Sequence, residues 1–418
     1  MPSLIPDEAL DTSTPVLVLK MHHGSLGIAR SLGRLGVPVY GLCHASQEPA
    51  GLSRYWRECY PWDIESAPEP KSIEFLLALG KKLGRRAILI PVSDRTAQFV
   101  ADHTGTLEQC YIFPDVSSEL VRRLTSKKQM HAIANAIGIP TAKTYFPRSR
   151  AEVLQFTDRA VFPLMLKADD GVRLFARTGS KMAIVRTPAE LLEQYDRWED
   201  ADSPNLMLQE YIAGGDETLW MFNGYFNDAS ECLAGFTGIK IRQTPPSMGS
   251  TSLGLCLPNP EVDQLTRRFM KAIGYQGILD IGYRYDVRDH RYKVLDVNPR
   301  IGSTFRLFVD KNGLDVVRAL YRDLTAQGVP KPVSADGRKW CVEDMDFETF
   351  RLTRRTGHLS LGEWLATLRG VDEGAWFARD DLRPFLSIAQ THFRYFLRAG
   401  IRKLRPCLAL LRTHRAAP

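Results

Sequence analysis

The stretch ILDIGYRYDVRDHRYKVLDVNPRIG, residues 278 to 302, decides the reading of this chain. It predicts two strands, Ile278 to Tyr285 and Tyr292 to Val297, joined as a hairpin by the polar turn Asp286 to Arg291. Asp296 and Asn298 are two apart, so on an extended backbone their side chains face the same way. Asp280 sits on the neighbouring strand and can lie across from them. Two carboxylates and an amide oxygen on one face suit a hard cation such as Mg2+. Arg300 follows at once, and a guanidinium beside that cation is suited to a phosphate or an acyl phosphate. Taken alone, Asp-x-Asn after a strand also reads as a turn capped by its side chains, so the rest of the chain has to choose.

Working upstream, Lys128 lies in RLTSKKQMHAIANAIGIPTAKTY and Lys167 ends the apolar strand of FPLMLKADDG. A lysine at a strand end can be a rim charge with a buried stem. Two of them ahead of a cation hairpin point instead to phosphate, for which an ammonium is a strong point charge. The intervening ADDGVRLFARTGS reads as a loop with Gly171 and Gly179. It can cover phosphates, with Arg173, Arg177 and Lys181 as side-chain donors, or be an ordinary solvent loop. LMLQEYIAGGDETLWMFNGYF, from Leu206, is an apolar strand, a polar hinge and a glycine turn. Around Gln209, Glu210, Tyr211 and Ile212 a strand-end backbone can hydrogen-bond an adenine edge, and Asp216 or Glu217 can accept ribose hydroxyls. An ordinary hairpin is the alternative. In IKIRQTPPSMGSTSLG, period-two alternation places Lys240 and Arg242 on one face, suited to phosphates or a substrate carboxylate.

The chain has 418 residues, enough for two to four domains, and is 44% hydrophobic and 25% charged, as expected of a soluble globular protein. It holds no apolar run long enough to predict a transmembrane helix, and its polar, acidic start lacks signal-peptide features. Seven scattered cysteines without a C-x-x-C pair read as reduced thiols of a cytoplasmic protein. The nine histidines show no metal-ligand spacing. Much of the formal charge of +7 sits after Ile388, where Arg394, Arg398, Arg402, Lys403, Arg405, Arg412 and Arg415 meet no Asp or Glu. The body is therefore near neutral and no nucleic-acid partner is expected. That tail interleaves Phe393, Phe396, Leu397, Ile401 and Leu404 with arginines. A basic amphipathic helix of this kind lies on an anionic membrane surface or packs on the body.

Residues 15 to 45 read as strand, helix, strand, a βαβ unit and hence a parallel sheet. A helix from Ser72 to Leu83, a strand over 87 to 94 and a helix from Arg95 to His103 continue it. Residues 117 to 138 read as helical. Thr187-Pro188 is a good start for a helix running to Trp198. The organisation expected is an α/β domain over 1–115, a linker helix and small α+β lid over 116–205, a strand-rich unit over 206–330, and a C-terminal extension over 331–418 that ends in the basic helix.

Taken in order, Lys128, GIP, Lys167, QEYI-GG-DE and the DVNPR hairpin resemble the ATP-grasp superfamily, over about residues 15 to 330. KIRQTPP…GSTS and GILDIGYRYD look most like its carboxylate–amine ligase branch, which includes D-aspartate ligase. The resemblance implies an ATP-grasp fold of α/β plus α+β class: an N-terminal parallel-sheet domain, a small lid, an antiparallel-sheet subdomain carrying the metal site, and here a mostly helical extension. It implies that Lys128, Lys167 and Lys181 meet phosphates. Gln209 to Ile212 would meet adenine and Asp216 or Glu217 the ribose. Asp280, Asp296 and Asn298 would bind Mg2+, two ions or Mn2+ in their place, and Arg242 and Arg300 would steady the transferred phosphoryl group. The chemistry implied is ATP-dependent activation of a small carboxylate as an acyl phosphate and its capture by an amine, in a cytoplasmic enzyme that is often a homodimer. A non-catalytic ATP-binding protein and an ATP-grasp carboxylase are the alternatives. The chain departs from the pattern at Asp296, where Glu is commoner, at Lys127, where an acid is common, and in the bulky lid residues 172–175.

Overall fold

The structure is a computed structural model and describes residues 10–44, 48–180, 182–246, 249–355, 357 and 359–392. Its N-terminal part is the expected alternation. Strand β1 (Val16–Val18) is wholly buried and leads into helix α1 (His23–Gly33), whose start is capped by His22, Nδ1 accepting from the Gly24 N–H at 2.9 Å. Then come β2 (Val39–Cys43), β3 (Trp56–Pro61), α2 (Glu69–Leu83), β4 (Ala87–Ile90), α3 (Asp94–Asp102), α4 (Thr104–Leu107) and β5 (Tyr111–Ile112). Helix α2 starts ahead of the expected Ser72 because Pro70 falls in its first turn, where no N–H partner is lost. The five strands are parallel in the order β3-β2-β1-β4-β5, so the order reverses between β1 and β4. In such sheets ligands gather at the carboxyl ends on either side of that reversal.

The helical stretch expected over 117–138 is two helices, α5 (Ser118–Thr125) and α6 (Lys127–Ala136). Ser126 is the break. Its backbone is extended and its Oγ caps α6 by accepting from the Gln129 N–H at 3.3 Å. Met130, Ile133 and Ala134 bury one face of α6 against the large sheet described below.

The small sheet comprises β6 (Thr144–Tyr145), β7 (Leu164–Ala168), β8 (Met182–Val185) and β9 (Leu206–Glu210), ordered β6-β9-β7-β8 and antiparallel throughout. Helices α7 (Arg150–Thr157), α8 (Gly171–Thr178) and α9 (Pro188–Trp198) accompany it. Two expectations change here. The segment 168–180 is not a loop: Asp170 Oδ1 accepts from the Arg173 N–H at 3.0 Å and α8 follows, with Leu174 buried. And Leu206–Glu210, placed by sequence at the head of the next unit, pairs with β7 and so belongs to this sheet. The unit has a core of its own, in which Val153, Leu166, Leu191 and Leu208 are buried together. A body with a separate core is what a lid requires.

The large sheet runs β14-β13-β10-β11-β12-β15-β16: β10 (Leu219–Phe226), β11 (Cys232–Thr244), β12 (Ser250–Cys256), β13 (Gly277–Asp286), β14 (Arg291–Asn298), β15 (Lys339–Cys341) and β16 (Val371–Gly374). Its pairs are antiparallel except β15 with β16. Helix α10 (Pro260–Ile273) packs on one side and α11 (Val316–Leu324) joins the core shared with the parallel sheet. The extension supplies β15, β16, α12 (Glu343–Arg355) and α13 (Leu361–Leu368), so it continues the large sheet rather than standing apart. It is tied to α1 through Arg30, 2% exposed, which donates to Asp381 Oδ2 at 3.0 Å and to the carbonyls of Ala375 and Trp376. The basic tail from residue 393 and Lys181 lie outside the described residues. Among the described residues no helix is long and apolar enough to cross a membrane.

Candidate active site

Strands β13 and β14 form the hairpin, with Asp280 opposite Asn298 and Gly282 opposite Asp296. Asp280, Asp296 and Asn298 therefore share one face at the open end of the sheet. Gly282 makes room for this. A Cβ there would stand 2.4 Å from Asp296 Oδ1, and one on Gly302 would stand 2.6 Å from Asp280 Cγ. Burial pushes the Asp280 carboxyl up to about 6; Arg300 works against this and Asp296 adds to it. Such a group is short of positive charge. Asn298 Nδ2 donates to Asp296 Oδ2 at 3.3 Å, which turns its amide oxygen to the Arg300 guanidinium at 3.1 Å. Arg300 also donates to Asp94 Oδ1 at 3.0 Å and stands 3.8 Å from Asp280. Among the described residues no three His, Cys, Asp or Glu side chains converge on one point. The hairpin thus offers two carboxylates and an amide, a partial shell of the kind Mg2+ completes with water and phosphate oxygens.

The hairpin closes one end of a cavity of about 450 Å3 between the small and large sheets. That volume suits a ligand of nucleotide size. Lys167, at the end of β7, enters from the small sheet and donates to Gln209 Oε1 at 2.8 Å. Burial pulls its ammonium down to about 8, helped by Lys127 and opposed by Asp296. Gln209 is fixed in turn by donating to Thr144 Oγ1 at 3.0 Å. Glu210, Tyr211 and Ile212 line the cavity where β9 leaves the small sheet. The Glu210 carboxylate is committed to Lys293 at 2.8 Å and Arg288 at 3.2 Å, and its N–H donates to the Lys143 carbonyl at 2.8 Å.

No family model matches the chain. It is 25% identical over 319 residues to a D-aspartate ligase of Enterococcus faecium (strain Aus0004), across 71% of this chain and 73% of that protein. The fold is similar to that of an N5-carboxyaminoimidazole ribonucleotide synthetase solved with ADP, with a TM-score of 0.61 at 11% identity over 79% of this chain and 81% of that one. An L-amino acid ligase from Bacillus licheniformis gives 0.59 at 14% identity over 79% of each chain. The biotin carboxylase domain of the Hydrogenobacter thermophilus 2-oxoglutarate carboxylase, solved with MgADP and bicarbonate, gives 0.57 at 17% identity over 77% of this chain and 72% of that one. This chain has the ATP-grasp fold.

Within the ATP-grasp cleft the structure gathers Lys167, Gln209 to Ile212, Asp216, Asp296 and Asn298, with Asp280 and Arg300 at its hairpin end. Three expected residues are placed elsewhere. Lys128 is exposed, its Nζ 5.7 Å from the Phe146 ring centre, and its N–H donates to Asp169; Lys127 lines the cleft instead. The cause is the start of α6 at Ser126, which puts Lys127 in line with Met130 and Ala134 and rotates Lys128 outward. Arg242 is buried and turned away, forked onto Asp346 at 2.8 and 2.9 Å, with Thr367 Oγ1 at 2.6 Å. A bulge in β11 between Lys240 and Gln243 breaks the alternation, so Lys240 and Gln243 face the cleft. Glu217 folds back onto the Gly215 N–H at 3.0 Å, whereas Asp216 lines the cleft, accepts from Gln243 Nε2 at 2.9 Å and is raised by burial.

Sequence reasoning did not single out Arg284, Gln243 or Asp94, all of which line the cleft. Arg284 stands on the same face of β13 as Asp280 and Gly282 and donates to the Gly214 carbonyl. Period-two counting from Asp280 would have found it. Asp94 follows β4 at the point where the parallel strand order reverses, a position a switch-point argument would have flagged.

Proposed function

We propose that the chain is an ATP-dependent carboxylate–amine ligase. It activates a small acid as an acyl phosphate, joins it to an amine as an amide, and releases ADP and phosphate. The observation that carries this is one cleft in which Lys167, the Glu210–Ile212 hinge and the Asp280–Asp296–Asn298 face meet, with Arg300 beside them. Similarity to a D-aspartate ligase supports the C–N bond-forming branch.

The hinge backbone would hold the adenine edge and Asp216 the ribose. Lys127, Lys167 and Lys240 bring three ammonium groups toward the phosphates. Asp280, Asp296 and Asn298 fit Mg2+, which when bound neutralises charge developing on the phosphate oxygens. A carboxylate oxygen of the acid attacks the γ-phosphorus and the bond to ADP breaks. Arg300 faces the group transferred. An amine nitrogen then attacks the carbonyl carbon, phosphate leaves, and the nitrogen sheds a proton. Closure of the small sheet over the cleft would exclude the water that hydrolyses this intermediate. Whether one or two ions bind is read from Mg2+ titration of the rate.

The test is ADP release with a panel of acids and amines. ADP and phosphate are expected only when ATP, an acid and an amine are all present. ATP binding without any acid-dependent ADP release across a broad panel contradicts the proposal.

A further inference from the structure

Behind Lys167 a run of side-chain hydrogen bonds joins the small sheet to helix α6. Lys167 Nζ donates to Gln209 Oε1 at 2.8 Å, and Gln209 Nε2 lies 3.0 Å from Thr144 Oγ1 and 3.2 Å from His131 Nε2. Gln209 and His131 are 2% and 3% exposed. Lys167, Thr144 and Gln209 belong to β7, β6 and β9, whereas His131 stands on α6, which packs against the large sheet. The bonds therefore run from the cleft across the small sheet to a helix of the other body.

Counting donors and acceptors selects one arrangement. An ammonium has only hydrogens to give, so the Gln209 oxygen must face Lys167 and its NH2 must face Thr144 and His131. The Thr144 hydroxyl gives its own hydrogen to the Ala142 carbonyl at 2.8 Å, so it accepts the first amide hydrogen. The second needs a lone pair on His131 Nε2. His131 is therefore the neutral imidazole with its hydrogen on Nδ1. Burial favours that form, as do Lys167 of β7 and Lys127 of its own helix, while Asp169 opposes it. Nδ1 is itself buried and has no partner among the described residues. An unmet donor is a cost that an apolar side chain at this position would avoid. What an apolar side chain would not supply is the lone pair on Nε2. Turned the other way, the Gln209 amide would set its NH2 against the Lys167 ammonium, donor against donor.

We propose that His131 is a positioning residue for phosphate binding. Its Nε2 lone pair fixes the Gln209 amide, and the amide oxygen holds the Lys167 ammonium at its place in the cleft. The inference rests on one part of the ligase reading, that Lys167 meets the phosphates, and it needs no turnover to be tested.

ATP and adenosine affinities, measured by calorimetry, separate the phosphate contacts from those to the rest of the nucleotide. His131→Leu removes the lone pair and is expected to weaken ATP about fivefold while adenosine stays within about twofold. His131→Gln returns a side-chain oxygen to the place of Nε2 and is expected to bind ATP within about twofold of the parent. Added to Gln209→Met, His131→Leu is expected to change ATP affinity less than about twofold, because the path to Lys167 is already cut. If His131→Leu does not fold, His131→Asn, whose amide stops short of Gln209, is expected to give the same split between ATP and adenosine. A folded variant of either kind with parental ATP affinity, an equal loss for ATP and adenosine, or a His131→Gln protein as weak as His131→Leu overturns this inference. Lys167→Met tests the premise. A loss of ATP affinity of about tenfold is expected, and parental affinity overturns the phosphate role of Lys167 together with this inference. The ADP-release panel tests the ligase chemistry separately.

Discussion

Replacing Arg242 separates a structural role from a catalytic one. Sequence alternation puts this residue in the cleft, whereas the structure locks it onto Asp346 with two parallel hydrogen bonds of 2.8 and 2.9 Å. Asp346 is 1% exposed and also accepts from Trp364 Nε1 at 2.7 Å and Ser252 Oγ at 3.1 Å. In Arg242→Met those two neutral donors remain, but the buried carboxylate loses its counter-charge. Breaking one side of a buried pair costs about 3–5 kcal/mol. Asp346→Asn added to it removes the stranded charge and keeps an acceptor for Trp364, so the double variant R242M/D346N should recover about half of that loss. A coupling of this sign is what a double-mutant cycle measures. The assay is urea unfolding of the four proteins, with ATP affinity by calorimetry on the folded forms. ATP binding should stay within about twofold of the starting protein, since a residue outside the cleft takes no part in it. A single variant as stable as the parent within about 1 kcal/mol but at least tenfold weaker for ATP would refute the reasoning and return Arg242 to the cleft.

Three further outcomes follow from the same geometry. Lys127→Ala should weaken ATP at least tenfold by calorimetry, on the scale of about 1.4 kcal/mol for one lost charged contact, while Lys128→Ala changes it less than twofold; the opposite ranking would mean that α6 starts elsewhere. Gly282→Ala forces Asp296 Oδ1 away from a Cβ that would stand at 2.4 Å, so the Mg2+ concentration for half-maximal ADP release should rise severalfold with the fold kept, and an unmoved midpoint would contradict the hairpin's role. Burial lowers His131 from 6.5 to about 4, aided by Lys167. It is neutral in the fold and protonates first in the unfolded chain, so its stabilisation is complete above 6.5 and lost as pH falls toward 4. At pH 5 that is about 2 kcal/mol from 1.36 kcal/mol per unit, with His22 and His23 lowered likewise. Melting curves from pH 8 to pH 4 check it, and a Tm that holds down to pH 5 would contradict it.

The hairpin was legible because Asp296 and Asn298 keep the two-residue alternation and Asp280 lies in register with Asn298, the bulge in β14 falling between Val294 and Asp296, and a period of two needs no tertiary information. Lys167 and the Glu210–Ile212 hinge were legible for a similar reason, as polar residues at the ends of apolar runs. Helix α9 announced itself through Thr187 and Pro188. What failed was phase. One bulge in β11 exchanged Arg242 for Gln243, and one capping serine exchanged Lys128 for Lys127. Local pattern does not encode a single-residue slip that tertiary packing selects. The pairing of Leu206–Glu210 with β7 and the approach of Asp94 to Arg300 were hidden because each joins segments far apart in sequence. Helix α8 was missed because Gly171 and Gly179 at its ends were read as signs of a loop through its middle.

The most direct measurement follows the oxygen of the acid. An acid substrate labelled with 18O in its carboxylate is turned over with ATP and hydroxylamine, and the released phosphate is analysed by mass spectrometry. Activation as an acyl phosphate leaves one labelled oxygen in each phosphate, with ADP as the nucleotide product. Unlabelled phosphate, or release of pyrophosphate with the label in AMP, would contradict the ligase chemistry assigned to the Asp280–Arg300 hairpin.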